Sequence, residues 1–256
     1  QAVPHRLIDI RMADESYSAA DFQHEARLEI TAAHKDGHMP ILSGGTGFYV
    51  QSLLEGYDFS VEGPNTQIRD RLDELWQTKG DEGLLAYAKV LAQKANIELR
   101  FTDKHRLFRA IELMEQGNYE ALTNQTNAGL SYEGSVIGLR RNRNELYERI
   151  NLRVNIMVEQ GLFEEVEQLL AAGVSPQCQA FKGIGYKEVV AYFNGEYTKA
   201  EAINAIQQNT RHFAKRQLTW YKRMPYITWL DCDSNRTGDS IFEEALEIIH
   251  KSGLTV

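Results

Sequence analysis

The string Gly44-Gly45-Thr46-Gly47 has the composition of a turn that can hold an anion. It follows an apolar stretch, Met39 to Leu42, that reads as a short buried strand, and it precedes FYVQSLLEG, which reads as a helix. Backbone N–H groups without side chains in the way can turn toward a phosphate, the helix start adds partial positive charge, and the Thr46 hydroxyl adds a donor. A phosphate or diphosphate suits that set. A plain tight connection between strand and helix suits it equally, because the string is neither a full GxGxxG nor a Walker motif.

Four basic groupings follow. Arg106 and Arg109, with His105 beside them, lie three apart on a helix and so share a face that could grip a phosphate backbone. Arg140, Arg141, Arg143, Arg149 and Arg153 form a second group, which Glu145 and Glu148 could partly neutralise as helix-surface pairs. In the helix read over 198–223, the spacing predicts an inward face of Ile203, Ile206, Thr210, Phe213, Gln217 and Tyr221. Arg211, Lys215, Arg216, Lys222 and Arg223 then take the remainder, five basic residues with no acidic one between 205 and 224. Lys182-Gly183-Ile184-Gly185-Tyr186-Lys187 is a flexible turn with two lysines, suited to close on RNA backbone while Tyr186 packs or stacks. Each grouping also has a plainer reading, as a solvated face or an ordinary helix start.

The elements that must position these residues alternate along the chain. Phe22, Ala26, Ile30 and Ala33 mark a helix that Gly37 is placed to end. After about residue 60 three helical stripes follow without a strand. Ile68, Leu72, Leu75 and Trp76 make the first, and Leu84 to Leu91 the second. Leu107, Ile111 and Met114 make the third, capped by Thr102 or Asp103. SVIGLR returns to strand character, a run of helices fills 143–223, PYITWLD reads as a strand, and 240–251 closes as a helix. This pattern predicts an α/β fold with a parallel sheet flanked by helices, made of residues 1–61 and 134–256, with an all-helical insertion over 62–133.

The chain has 256 residues, 28 basic and 36 acidic, for a net charge of −8. No apolar run approaches the roughly 18 residues needed to span a bilayer, so no membrane partner is expected. Cys178 and Cys232 stand alone, which excludes a disulfide framework or a Cys-rich zinc module and suits a reducing cytoplasm. The acidic total argues against a general nucleic-acid coat, but binding depends on the face presented.

In combination the strings VPHRLID, YSAADF, SGGTGFYVQSLLEG, HRLFRAIE, LYERINLRV, GIGYKE, TRHFAKRQLTWYKR and WLD resemble the tRNA dimethylallyltransferase family, in family order and over nearly the whole chain. The resemblance implies a P-loop NTPase-like, nucleotide-binding core (the ATP-binding type) and a helical insertion that clamps the anticodon stem-loop. It implies transfer of a dimethylallyl group from dimethylallyl diphosphate to the exocyclic amine of the adenine 3′ of the anticodon, with Mg2+ at the diphosphate. By position it makes Thr46 catalytic and Gly44, Gly45, Thr46 and Gly47 the wall of the diphosphate channel. Arg69, the run His105, Arg106, Leu107, Phe108 and Arg109, and the run Lys182 to Lys187 fall where the family meets tRNA, and the basic face of Arg211, Lys215 and Arg216 joins them. A monomer acting in the cytoplasm is expected.

The family's opening P-loop, and the aspartate that serves as general base soon after it, are not among these residues. The natural protein is therefore expected to be longer by some tens of residues, and these 256 alone to show no measurable transfer. Other classes fit parts of the pattern: a small-molecule phosphotransferase, an enzyme that prenylates free adenine nucleotides, or a non-catalytic RNA binder. The basic helix argues against the first two.

Overall fold

The computed structural model describes residues 3–59, 65–123 and 129–253. It divides into two compact units, one formed by Gln1–Leu54 with Tyr132–Val256 and the other by Glu55–Ser131.

The first unit opens with α1 (Ala19–Lys35), whose start is fixed by a reciprocal cap. The Asp21 backbone N–H donates to the Ser18 hydroxyl, and the Ser18 N–H donates to the Asp21 carboxylate at 2.8 Å. α2 (Gly47–Leu54) packs on α1, and Gln23 in α1 donates to the Ser52 carbonyl at 2.7 Å across that contact.

After the second unit the chain returns as β1 (Val136–Arg140), which pairs in parallel with β2 (Ile227–Asp231). Parallel neighbours need a long crossover, and here it carries α6 (Arg143–Glu159), α7 (Leu162–Ala171), α8 (Tyr186–Phe193) and α9 (Lys199–Tyr221). Their common core includes Val154, Phe163, Val166, Val189 and Ile206. An ion pair between Arg140 and Asp231, 2.6 Å at its closest, ties the last residues of the two strands. It raises the arginine's pKa and holds the Asp231 carboxyl below the usual carboxylate range. α10 (Gly238–Lys251) lies against β2.

Two expectations for this unit need correction. Met39 to Leu42 is neither a strand nor buried; Ile41 is 83% exposed. A strand exists through its hydrogen-bonded neighbour, and the described residues provide none beside this segment, so an apolar run alone does not make one. The sheet among the described residues therefore has two strands. On α9 the expected inward face holds at Ile206, which is buried, but not at Phe213, which is 38% exposed while Ala214 beside it is buried.

The second unit holds α3 (Thr66–Lys94), broken at Gly80, with α4 (Lys104–Glu115) and the short α5 (Glu120–Thr123). Asp103 caps α4 by accepting from the Arg106 N–H at 3.1 Å. Leu72, Leu84, Leu107 and Ile111 make the centre of its core, each at most 1% exposed.

Candidate nucleic-acid interface

α9 is the spine on which two features of the first unit are hung. Thr198 and Glu201 cap its start reciprocally. Toward its end, the Gln217 side-chain amide donates to the Gly45 carbonyl at 2.8 Å. A Cβ placed on Gly47 would come 2.5 Å from the Trp220 indole, so the glycine turn sits directly on that ring. Phe48 meets Trp220 edge-on, with ring centroids 6.4 Å apart. The turn is thus pinned on both sides of Thr46. Thr46 itself is exposed, and its carbonyl accepts the Val50 N–H at 3.1 Å, which opens α2. Its hydroxyl has no hydrogen bond among the described residues.

One to two turns earlier, α9 forms a wall of an open groove of about 950 Å3 shared with α6 and the Lys182–Lys187 turn. Arg149 and Arg153 enter from α6, Lys182 and Lys187 from the turn, and Arg216 from α9. Among the described residues no carboxylate lines it. Of these five cations, only Lys187 has a carboxylate within ion-pair distance among the described residues, Glu188 at 3.5 Å. Ile150, Met157, Ile184 and Phe213 give the groove an apolar floor.

Glu188 holds the turn in place. It is 3% exposed, and its carboxylate accepts the Gly185 N–H at 2.8 Å and the Asn209 amide of α9 at 2.7 Å. Gly185 has φ +103°, a conformation that a side chain would strain. Tyr186 packs edge-on against Phe181 and donates to Glu165 at 2.6 Å. Burial, with that hydrogen bond, pushes its phenol up to about 12, so it is a neutral strut and not a proton carrier near neutral pH. Replacing Glu188 with glutamine sets an amide N–H2 against one of the two donors. The Glu188→Gln variant is expected to lose about 1–3 kcal/mol of stability, and thermal melts read that loss. Its salt dependence of polyanion binding should also flatten, because the two lysines lose their fixed places.

The candidates named from sequence thus divide. The structure brings Lys182, Gly183, Ile184, Lys187 and Arg216 to one groove and adds Arg149 and Arg153. Arg211, half-buried, instead donates to the Asn151 side chain of α6, while Lys215 is exposed outside the groove lining. In the second unit, Arg69 grips Glu112 with two hydrogen bonds at 2.7 and 3.1 Å, and Arg109 reaches the same carboxylate at 3.5 Å. Glu112 is fully buried and also accepts the Asn65 N–H at 3.0 Å. Arg106 pairs with Asp103 at 3.5 Å and His105 is exposed. Leu107 and Phe108 are 0% and 7% exposed, so their side chains pack the core of this unit, in keeping with the inward stripe that includes Leu107. Sequence reasoning passes over Glu112, Glu188 and Trp220. The first two look like helix-surface acids and the third like one more apolar residue.

A cation-lined groove on a small α/β frame, in a chain of net charge −8, is the kind of surface that suits a polyanion. The family model described as IPP transferase matches residues 1–224. A tRNA dimethylallyltransferase of Alkaliphilus metalliredigens is 41% identical over 249 residues, which cover 96% of this chain and 80% of the relative. The crystal structure of the full-length tRNA isopentenylpyrophosphate transferase from Bacillus halodurans aligns at TM-score 0.69 and 33% identity, covering 98% of this chain and 80% of that one. A eukaryotic dimethylallyltransferase aligns at TM-score 0.74 but 22% identity, over 95% of this chain and 64% of that one, a likeness of fold. The chain belongs to the IPP transferase family, that of the tRNA dimethylallyltransferases.

Proposed function

We propose that the chain transfers a dimethylallyl group from dimethylallyl diphosphate to the exocyclic amine of the adenine 3′ of the anticodon, and that the cationic groove holds the phosphates of that tRNA. Family membership supports the reaction, a tRNA prenylation. The observation that carries the assignment of the groove is the convergence of five cations from α6, the Lys182–Lys187 segment and α9, with no carboxylate among the described lining residues.

In the transfer, the amine attacks the allylic carbon as its C–O bond breaks; diphosphate leaves with the electron pair, and the proton that the amine loses passes to solvent water. Charge that grows on the leaving group is best met by donors fixed in advance. The turn at Gly44 to Gly47, held by α9, is such a fixed frame, and Thr46 brings a hydroxyl to the reacting end. Magnesium belongs to the proposal as a companion of the diphosphate. Among the described residues no group of three His, Cys, Asp or Glu could hold a metal ion, so they do not form a site for it, and no step is drawn through one. Magnesium commonly rides on substrate phosphates with few protein ligands. Among the described residues no helix is long and apolar enough to cross a membrane. The proposal places the enzyme in the cytoplasm as a monomer.

The test is a salt titration of tRNA binding for the Arg153→Gln, Lys182→Gln double variant. Each phosphate of the single-stranded loop that no longer meets a cation should reduce the log–log slope by about 0.7. An unchanged slope would return the groove to a solvated surface.

A further inference from the structure

Phe213 is out of place for a packing residue. Its neighbour Ala214 is buried in the helix contact, whereas Phe213 is 38% exposed in the groove lining, and the Arg216 guanidinium lies 5.7 Å from its ring centroid. Thr210 and Ile184 line the same groove. A groove built only for phosphate needs cations and backbone donors. An exposed aromatic ring on an apolar floor adds nothing to phosphate binding, but it is the means by which proteins hold an unstacked base.

We propose that this groove takes one unpaired base of a single-stranded RNA loop, stacked on the Phe213 ring, with the phosphates on either side held by Arg149, Arg153, Lys182, Lys187 and Arg216. The inference rests on the reading of the groove as a tRNA-phosphate site and adds to it the state of the RNA: splayed loop nucleotides, not duplex. Charge complementarity selects the occupant, because an apolar peptide would leave Arg149, Arg153, Lys182 and Arg216 facing no opposite charge. The exposed ring selects a base over bare backbone. A stacking platform tolerates any base, since every base has a π-face. The groove therefore contributes affinity and holds the loop open, while the choice of base falls elsewhere.

The experiment measures binding of a fluorescently labelled anticodon stem-loop to the chain and to its Phe213→Ala, Phe213→Leu and Phe213→Trp variants. Phe213→Ala should weaken binding about 5- to 150-fold with the salt slope unchanged, because every phosphate keeps its cation. Phe213→Leu, which keeps apolar bulk but no π-face, should weaken it nearly as much, and Phe213→Trp should bind as well as or better than the parent. A 2-aminopurine placed in turn at each loop position should be quenched at one position, and not in Phe213→Ala. Wild-type affinity in Phe213→Ala, or full retention in Phe213→Leu, overturns the stacking proposal. The arginine and lysine variants above separate the two ideas. If their slope falls while Phe213→Ala is neutral, phosphate binding stands and stacking fails. If neither changes, both fail.

Discussion

Assayed in the full-length natural protein, replacing Thr46 with alanine is expected to lower turnover by about 10- to 1000-fold, the scale of one hydrogen bond made in a transition state, while tRNA affinity stays within twofold. The reasoning is local. The carbonyl of Gly45 is taken by Gln217 and Gly47 rests on Trp220, so the backbone on both sides of Thr46 is held by α9. The hydroxyl between them has no partner among the described residues and faces solvent. A residue held this firmly with a hydroxyl to spare is poorly explained by the turn alone. Thr46 is also absent from the lining of the cationic groove, so its replacement should not touch the phosphate-binding cations. Single-turnover rates together with equilibrium binding separate the two effects. Thr46→Ser, which keeps the hydroxyl, should recover most of the rate. A rate within twofold of the parent in Thr46→Ala would reduce the residue to a turn former.

The parts of this molecule that are legible in its sequence are those governed by short spacings. Asp103 capping a helix with Leu107 and Ile111 on its buried face follows from three- and four-residue periodicity. The two strands follow from β-rich runs bounded by other helices. The interactions that build the site are not legible, because they join distant positions. Gln217 and Gly45 are 172 residues apart. Glu188 reads as a helix-surface acid until Asn209 and the Gly185 N–H are seen to converge on it. Phe213 departs from its stripe although Ile206 keeps to it, because periodicity says which residues share a helix face and not what covers that face along its length; at Phe213 the face opens on the groove. The Met39 to Leu42 error has a similar origin: its composition suggests burial, and burial depends on neighbours.

In the full-length natural protein Gly47→Ala is expected to lower turnover by about 100-fold, the cost of misplacing reacting groups by roughly 1 Å. The three glycines of the turn meet different surroundings, which makes the prediction graded. A Cβ on Gly44 would meet nothing within 4 Å, so Gly44→Ala should be close to neutral. A Cβ on Gly45 would fall 2.4 Å from the Gln217 amide nitrogen, the far end of a flexible side chain. That side chain can withdraw, at the loss of its hydrogen bond to the Gly45 carbonyl, so Gly45→Ala should have an intermediate effect. A Cβ on Gly47 would fall 2.5 to 2.8 Å from three atoms of the Trp220 indole, a rigid ring that also packs against Phe48. The ring has no rotatable end to move aside, so the turn must shift and carry Thr46 with it. Trp220 is not in the lining of the cationic groove, so tRNA binding should hold while the rate falls. Measuring rates for the three single variants tests the order directly. If Gly47→Ala is as active as Gly44→Ala, the close packing of turn on tryptophan does not set the catalytic geometry. If the rate falls only in parallel with thermal stability, the damage is to folding and not to the placement of Thr46.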